Sequence, residues 1–382
     1  MKRKIFVLLN TSWNIYNFRK NLVGILIEAG FEVVAVAPRD AYSAKLPLLG
    51  CRYVEVPMEN KGTNIWRDLI FTIRLTQLFE KERPDLILSY TVKPNIYGSL
   101  AARLNSVPIV NNISGLGAVF IRPSKVTVLV SLLYKLSLKW SKKIFFQNQD
   151  DLDFFVSKKL VNVGGTERLP GSGVDLNRFK FSEPASGGEG FKFLLVARLL
   201  WDKGLAEYVG AAMRLKVEFP EVECGITGFL DVENPESISA QQMDKWVSEG
   251  VITYSGASDK IEKEIKNCDC LVLPSYREGL SRTLLEGAAI GRPLIATNVP
   301  GCKEVVEDGE NGYLVEPYSI DDLTEKMRLM YLLSREQRVA MGKYGRLKVE
   351  KEFSEEVVIN RYLEVVKEII ADECNPPIIN RS

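Results

Sequence analysis

Two doubly wound α/β domains facing a common cleft are what this sequence predicts. Three observations lead there. At 382 residues the chain is too long for one ordinary core. Apolar runs of strand length alternate with amphipathic runs of helix length. The alternation breaks once, at "SEPASGGEG" (182–190), where Pro, Ser and glycines remove all periodicity, and then restarts.

The first half opens on the strand "KIFVLL". An amphipathic helix is expected from Phe18 to Ala29, then the strand "FEVVAVAP" and a helix over 64–81. "DLILSY", helix 95–104, "VPIVNN", helix 125–140 and "KIFFQN" continue the rhythm. After the break come "FKFLLVA", helix 205–218, "VECGIT", helix 239–248, "VITYSG" and helix 259–267. "CLVLPS", helix 281–290 and "PLIAT" follow, and three final helices are expected near 319–333, 335–350 and 354–372. The expected domains are therefore 1–181, a linker 182–190, 191–353, and a helix and tail at 354–382 available to pack back on the first domain. The tail "NPPIINRS" is expected to fray. Ligands of such sheets bind in crevices beyond the carboxyl ends of the strands.

Composition narrows the chemistry. Hydrophobic content of 46% suits a soluble globular protein. There is no histidine, which excludes His-based triads, histidine metal sites and histidine general bases. The six cysteines show no C-x-x-C pair and read as reduced thiols of a cytosolic protein. The start "MKRKIFVLLNTS" reads as a first strand, since its apolar run is too short for a signal peptide. No run of 18 apolar residues predicts a spanning helix. The net charge of +1 hides an asymmetry: residues 1–180 carry +12 and the rest −11. A basic half and an acidic half suggest two separate partners, with chance drift of surface charge as the alternative; no nucleic-acid partner is expected.

Three elements of the second half meet at strand ends. In "VARLLWDKG", Arg198 follows a strand and Lys203 precedes a helix. Together they suit a diphosphate, Arg198 as a fork and Lys203 as a point charge. In "SYREGLSRTLLEG", Gly279 lets backbone approach a ligand. The next helix offers amides at its start, Leu280, Ser281, Arg282 and Thr283, together with a positive dipole end. Glu278 and Glu286 then flank a phosphate resting on that helix start, each placed to accept hydrogen bonds from sugar hydroxyls. A hydrolytic carboxylate pair across one bond is the competing reading of the two acids. The third element is the strand end Ser255-Gly256, where a nucleobase has backbone to meet; a plain turn reads equally well.

"VARLLWDKG", "LPSYREGLSRTLLEGAAIGRPLIATNVPGCKEVVEDGENGYLVEP" and "GSGVDLNRF" resemble the retaining glycosyltransferases of family 4, whose fold, GT-B, has two Rossmann-like domains. The R-x4-K and E-x7-E spacings carry much of the likeness. It implies that Arg198 and Lys203 hold the diphosphate of a UDP-sugar, Glu278 the donor sugar and Glu286 the ribose, with no metal and no cofactor. "NIYNFRKNL", "SYTVKPNIYGSLAAR" and "NNISGLGAVF" resemble enzymes that extend polyprenyl-diphosphate-linked saccharides in O-antigen, capsule and N-glycan assembly. The chain departs from the pattern at Ser114, where many relatives carry histidine. It departs also at Asn10-Thr11-Ser12-Trp13, where many have a glycine pair, and at Gly287, where alanine is usual.

The first half is then expected to bind a lipid-linked saccharide acceptor. The loop Asn10 to Arg19 supplies Asn14, Asn17 and Arg19; Lys93 and Asn95 follow "DLILSY"; Ser114, Gly115 and Gly117 follow "PIVNN". Residues 124–143 are apolar and lysine-rich, which suits either a core-packed helix or an anionic membrane surface. A cytoplasmic, peripheral enzyme at the inner face of the membrane is the resulting expectation. Asp151-Leu152-Asp153 reads as a helix opening rather than a metal site. Two rivals remain: a nucleotide-sugar 2-epimerase of the same fold, and a sugar-nucleotide-binding protein without catalysis.

Overall fold

The structure is a computed structural model. It describes residues 2–374 other than 60, 61, 63, 117–119, 121–123, 185–189, 231–233 and 235, so the tail from 375 lies outside the described residues. The chain divides into two units, Met1–Ser172 with Glu356–Ser382, and Gly173–Glu355.

The first unit is built on a parallel sheet. Its strands are β1 (Lys4–Leu8), β2 (Glu32–Ala37), β3 (Arg52–Glu55), β4 (Leu86–Tyr90), β5 (Ile109–Ile113), β6 (Lys143–Phe146) and β7 (Thr166–Arg168). Their order is β3-β2-β1-β4-β5-β6-β7, so the winding reverses between β1 and β4. The central strands are buried on both faces, as continuous apolar runs require. Val7 and Leu88 face one core layer, Phe6 and Ile87 the other. The helix Glu355–Cys374 lays Val358, Tyr362 and Val366 into the first of these layers. Arg361 fixes it to β7 through a two-pronged contact with Glu167, at 2.6 and 2.8 Å.

On the amino-terminal side of this sheet, Glu82 accepts from Arg52 at 2.5 and 3.1 Å and from Lys4 at 3.0 Å. The Arg52 and Lys4 hydrogen bonds pull its carboxyl down to about 2. A carboxyl depressed on folding contributes stability that is complete above its unfolded value, about 4.3, and is lost as pH falls toward 2. Glu82→Gln should therefore flatten the acid arm of a denaturation-midpoint series between about pH 5 and pH 2.5. Unchanged acid sensitivity would dismiss that contribution.

The second unit carries β8 (Lys192–Val196), β9 (Glu223–Thr227), β10 (Thr253–Tyr254), β11 (Cys270–Leu273), β12 (Leu294–Thr297) and β13 (Gly312–Val315). The order is β10-β9-β8-β11-β12-β13, again parallel, with its reversal between β8 and β11. Five described cysteines are free and buried. Burial pushes their thiols up, Cys51 to about 11 and Cys224 to about 12, which suits packing residues.

Several expectations need correction. The boundary at 181 falls earlier, at Ser172–Gly173. Phe179 is fully buried in the second unit, and Arg292, itself buried, donates to the Ser182 carbonyl at 2.7 Å. Of the expected linker, 185–189 lie outside the described residues. The single helix Phe18–Ala29 is two, Ser12–Phe18 and Lys20–Glu28, hinged at Arg19. β3, β7 and β13 were not expected, and all three are sheet edges. β3 and β7, with Arg52, Glu55, Glu167 and Arg168, lack the apolar run that announces a central strand, whereas β13 is apolar but only four residues long.

Candidate active site

The reversal between β8 and β11 puts two loops side by side at the carboxyl edge of the second sheet. One runs from Ala197 to Gly204, the other from Pro274 to Ser281. Gly204 joins them. Its φ is +71°, and a Cβ there would lie 2.1 Å from the Pro274 carbonyl oxygen. The Tyr276 amide donates to the Asp202 carbonyl at 2.9 Å, and the Tyr276 hydroxyl donates to Glu207 at 2.9 Å.

This contact brings Lys203 Nζ to 2.7 Å from Glu278 Oε1. Ser275 Oγ donates to the same oxygen at 2.7 Å. Both side chains of the ion pair are largely shielded, 12% and 18% exposed. Burial acts to lower the Lys203 pKa, but the charge and hydrogen bond of Glu278, with Asp202 behind, outweigh it and leave it raised. Lys203 is therefore a fixed cation. Glu278 is seated from below by Gly301, at φ +84°, whose Cβ would lie 2.5 Å from the Glu278 carbonyl carbon. Arg198 is an exposed side chain at the end of β8, close enough that its charge acts against Lys203.

The helix that follows runs Arg282–Ile290, capped by Ser281, whose hydroxyl accepts from the Leu284 amide. Four donor amides were expected at this end. Ser281 is not one of them, because its amide donates to the Gly301 carbonyl at 2.8 Å. The amides of Leu280 and Thr283 have no partner among the described residues, and Gly279 stands half-buried beside them. Together with the helix dipole they make a donor end suited to an anion. One turn on, Glu286 is buried and accepts from Arg282 Nε at 2.9 Å. Burial raises its carboxyl above the ordinary range; Arg282 and then Arg178 draw it part of the way back. Arg178 in turn grips Glu262 at 2.9 and 3.2 Å. Ser255 and Gly256 do lie at the end of β10, but the Ser255 amide is used by the Ile226 carbonyl. That amide is therefore closed to a ligand.

The first unit's expected acceptor residues divide. Asn14 and Asn17 stand on the capped helix Ser12–Phe18, not in a loop; Thr11 accepts from the Asn14 amide, and Asn17 donates to the Trp13 carbonyl at 2.9 Å. Arg19 is withdrawn: it is 5% exposed, with its guanidinium 4.3 Å over the Tyr90 ring. Asn95 has no exposed surface; it donates to the Asn112 carbonyl at 2.8 Å and accepts from Asn111 at 3.0 Å. Lys93 is paired with Asp68 at 2.7 Å. Ser114 donates to Asn112 at 3.1 Å, and Gly115 beside it has φ +117°. Gly117 lies outside the described residues. Asp151 is buried against its cap Asn148, as a helix opening.

Sequence reasoning missed Ser275, Gly301 and Tyr276, which seat the ion pair, and Asn112 with Tyr362, which meet at 2.9 Å behind Ser114. Gly301 alone left a signal, a glycine just past a predicted strand. Tyr362 is 250 residues from Asn112 and left none.

Two family profiles cover most of the chain: "Glycosyl transferase 4-like" over residues 4–148 and "Glycosyl transferases group 1" over 177–348. The chain belongs to the family 4 glycosyltransferases of GT-B fold. It is 27% identical over 377 residues to the Campylobacter jejuni N,N'-diacetylbacillosaminyl-diphospho-undecaprenol alpha-1,3-N-acetylgalactosaminyltransferase, covering 94% of this chain and 96% of that one. It is 25% identical over 281 residues to the Escherichia coli UDP-Gal:alpha-D-GlcNAc-diphosphoundecaprenol alpha-1,3-galactosyltransferase, covering 70% and 71%. The fold matches that of Anabaena Alr3699/HepE, crystallised with UDP and glucose, with a TM-score of 0.76 at 16% identity over 96% of this chain and 100% of that one.

Proposed function

We propose that this glycosyltransferase moves a hexose or N-acetylhexosamine from a UDP-sugar to a polyprenyl-diphosphate-linked saccharide, with retention at the anomeric carbon and without a metal. The observation that carries the reading is the Lys203–Glu278 pair beside the donor end at Leu280–Thr283. A diphosphate offers Lys203 a second, doubly charged partner. Glu278 is then released to accept hydrogen bonds from the donor sugar, and buried Glu286 to accept them from the ribose.

The bond from the anomeric carbon to the phosphate oxygen breaks as the acceptor oxygen bonds to that carbon on the same face. The acceptor proton passes to the departing phosphate oxygen. Negative charge grows on the diphosphate in the transition state, where Lys203, Arg198 and the helix amides stabilise it. The named acceptors of the Campylobacter and Escherichia relatives support a lipid diphosphate here, and the UDP of the Anabaena structure supports the base. Cell-envelope polysaccharide or glycan assembly is the corresponding role. No helix of the described residues is long and apolar enough to cross a membrane. We place the enzyme peripherally on the anionic inner face of the cytoplasmic membrane, with residues 124–143 in contact.

A screen of nucleotide-sugars for UDP release, with and without lipid-linked saccharide, tests the reaction. Release that requires both is expected. An epimerised donor in the absence of acceptor, or binding without release, would replace the reading. Within the site, Glu286→Gln should raise the donor KM by about tenfold or more while kcat changes less, since a buried charged acceptor is lost from ground and transition states alike. A selective fall in kcat would instead put Glu286 at the reacting centre.

A further inference from the structure

The helix Ile65–Glu82 buries Phe71, Leu75 and Phe79 against the first unit's sheet. Its opposite face is also apolar and is left open. Ile65, Trp66, Leu69, Ile70 and Ile73 recur at helical spacing, with Ile65 70% and Trp66 75% exposed. The helix Lys125–Ser137 repeats the arrangement: Tyr134 is buried, while Val128, Leu129, Leu132 and Leu136 face out, followed by Trp140. Both helices cover the same side of the sheet. Ile109 packs with the layer under the first and Ile113 with the layer under the second, and residues four apart on β5 share a face. Scattered exposed apolar residues are ordinary; two such faces on one side of one sheet are not.

Their charge names the occupant. Arg74, Lys81, Lys125, Lys135 and Lys139 are exposed on these two segments, against one exposed acid, Glu80. Asp68, the acid in the first turn of the first helix, is buried and held by Lys93. Arg67 is held by Glu59, so it adds no net charge. Arg103 lies 5.3 Å over the Trp140 ring, adding a cation beside an aromatic side chain. Apolar side chains at the centre, tryptophans and cations around them, and few uncompensated acids are the features of a surface that enters the headgroup layer of an anionic bilayer.

We infer that the outer face of Ile65–Ile73 is a second membrane-insertion element, acting with Val128–Trp140 to seat the first unit on anionic lipid. This rests on the peripheral placement proposed above and adds a helix that the charge pattern alone did not select. Two contacts on one face also fix the tilt of the unit against the bilayer, which a single amphipathic helix leaves free to roll. An acceptor held at the headgroup level would then meet its site at a set height.

The test is sedimentation with vesicles of phosphatidylcholine alone and of phosphatidylcholine with phosphatidylglycerol. The full chain should bind the anionic vesicles and bind neutral ones weakly. Trp66→Glu with Ile70→Glu should lower the anionic-vesicle partition coefficient by about tenfold or more, the scale of withdrawing two apolar side chains. Thermal melting and UDP affinity should stay as in the parent chain. Val128→Glu with Leu132→Glu should have a similar effect. Unchanged partition in the folded Trp66/Ile70 variant would overturn the inference. So would a concentration-dependent dimer, seen by analytical ultracentrifugation and abolished by those substitutions, which would assign the face to a second copy of the chain. Absent vesicle binding with normal acceptor-dependent UDP release would sink the membrane surface and leave the transferase reading standing.

Discussion

Lys203→Ala is expected to lower kcat/KM by about three orders of magnitude, the loss seen when one well-placed donor to a developing anion is removed. The ammonium lies 2.7 Å from Glu278 and is shielded from water, so no solvent cation replaces it cleanly. The substitution has a second consequence. Glu278 keeps Ser275 but loses its counter-charge in a partly buried site, and leaving a shielded carboxylate unpaired destabilises the fold. Turnover and melting temperature must therefore be read together. The double variant Lys203→Ala, Glu278→Gln separates the two effects: it should regain stability and stay inactive. Near-normal turnover in the single variant would remove Lys203 from the phosphate site.

Gly204→Ala is expected to be more damaging than its size suggests. The residue sits at φ +71°, where a side chain is strained, and its added carbon would lie 2.1 Å from the Pro274 carbonyl oxygen. The loops after β8 and β11 must separate to admit it. A loss of about 2–4 kcal/mol of stability is expected from strain plus overpacking. Activity should fall further than stability explains, because the same displacement parts Lys203 from Glu278 and moves the helix start at Leu280. Denaturation midpoints and UDP release on the fraction that stays folded would check this. Unimpaired release would mean that the loops tolerate independent movement.

Much of this site was legible because its parts are local. "VARLLWDKG" shows a strand, two cations and a glycine within nine residues, and "SYREGLSRTLLEG" shows an acid, a glycine and a helix start within thirteen. The acceptor residues were read less well for a physical reason. Asn14, Asn95 and Ser114 have similar chemistry on paper, yet Asn95 is buried in a network with Asn111 and Asn112 while Ser114 stands at a strand end. A polar side chain declares its hydrogen-bonding capacity in the sequence but not which partner satisfies it. Arg19 shows the same ambiguity, a cation near a glycan-like loop that folds inward over Tyr90 instead.

The sequence by itself determined the alternation of strands and helices, the two sheets, the absence of histidine chemistry and the residues of the proposed phosphate site. These follow from periodicity and from short-range spacing, which the chain carries locally. Only the tertiary structure decided that Lys203 and Glu278, 75 residues apart, form one ion pair. It also decided that Gly301 seats Glu278, that Tyr362 backs Asn112, and that one side of Ile65–Glu82 is left open. Those are facts of which strand ends adjoin and which faces are covered, and such contacts are set by how the sheet winds rather than by any stretch of neighbouring residues.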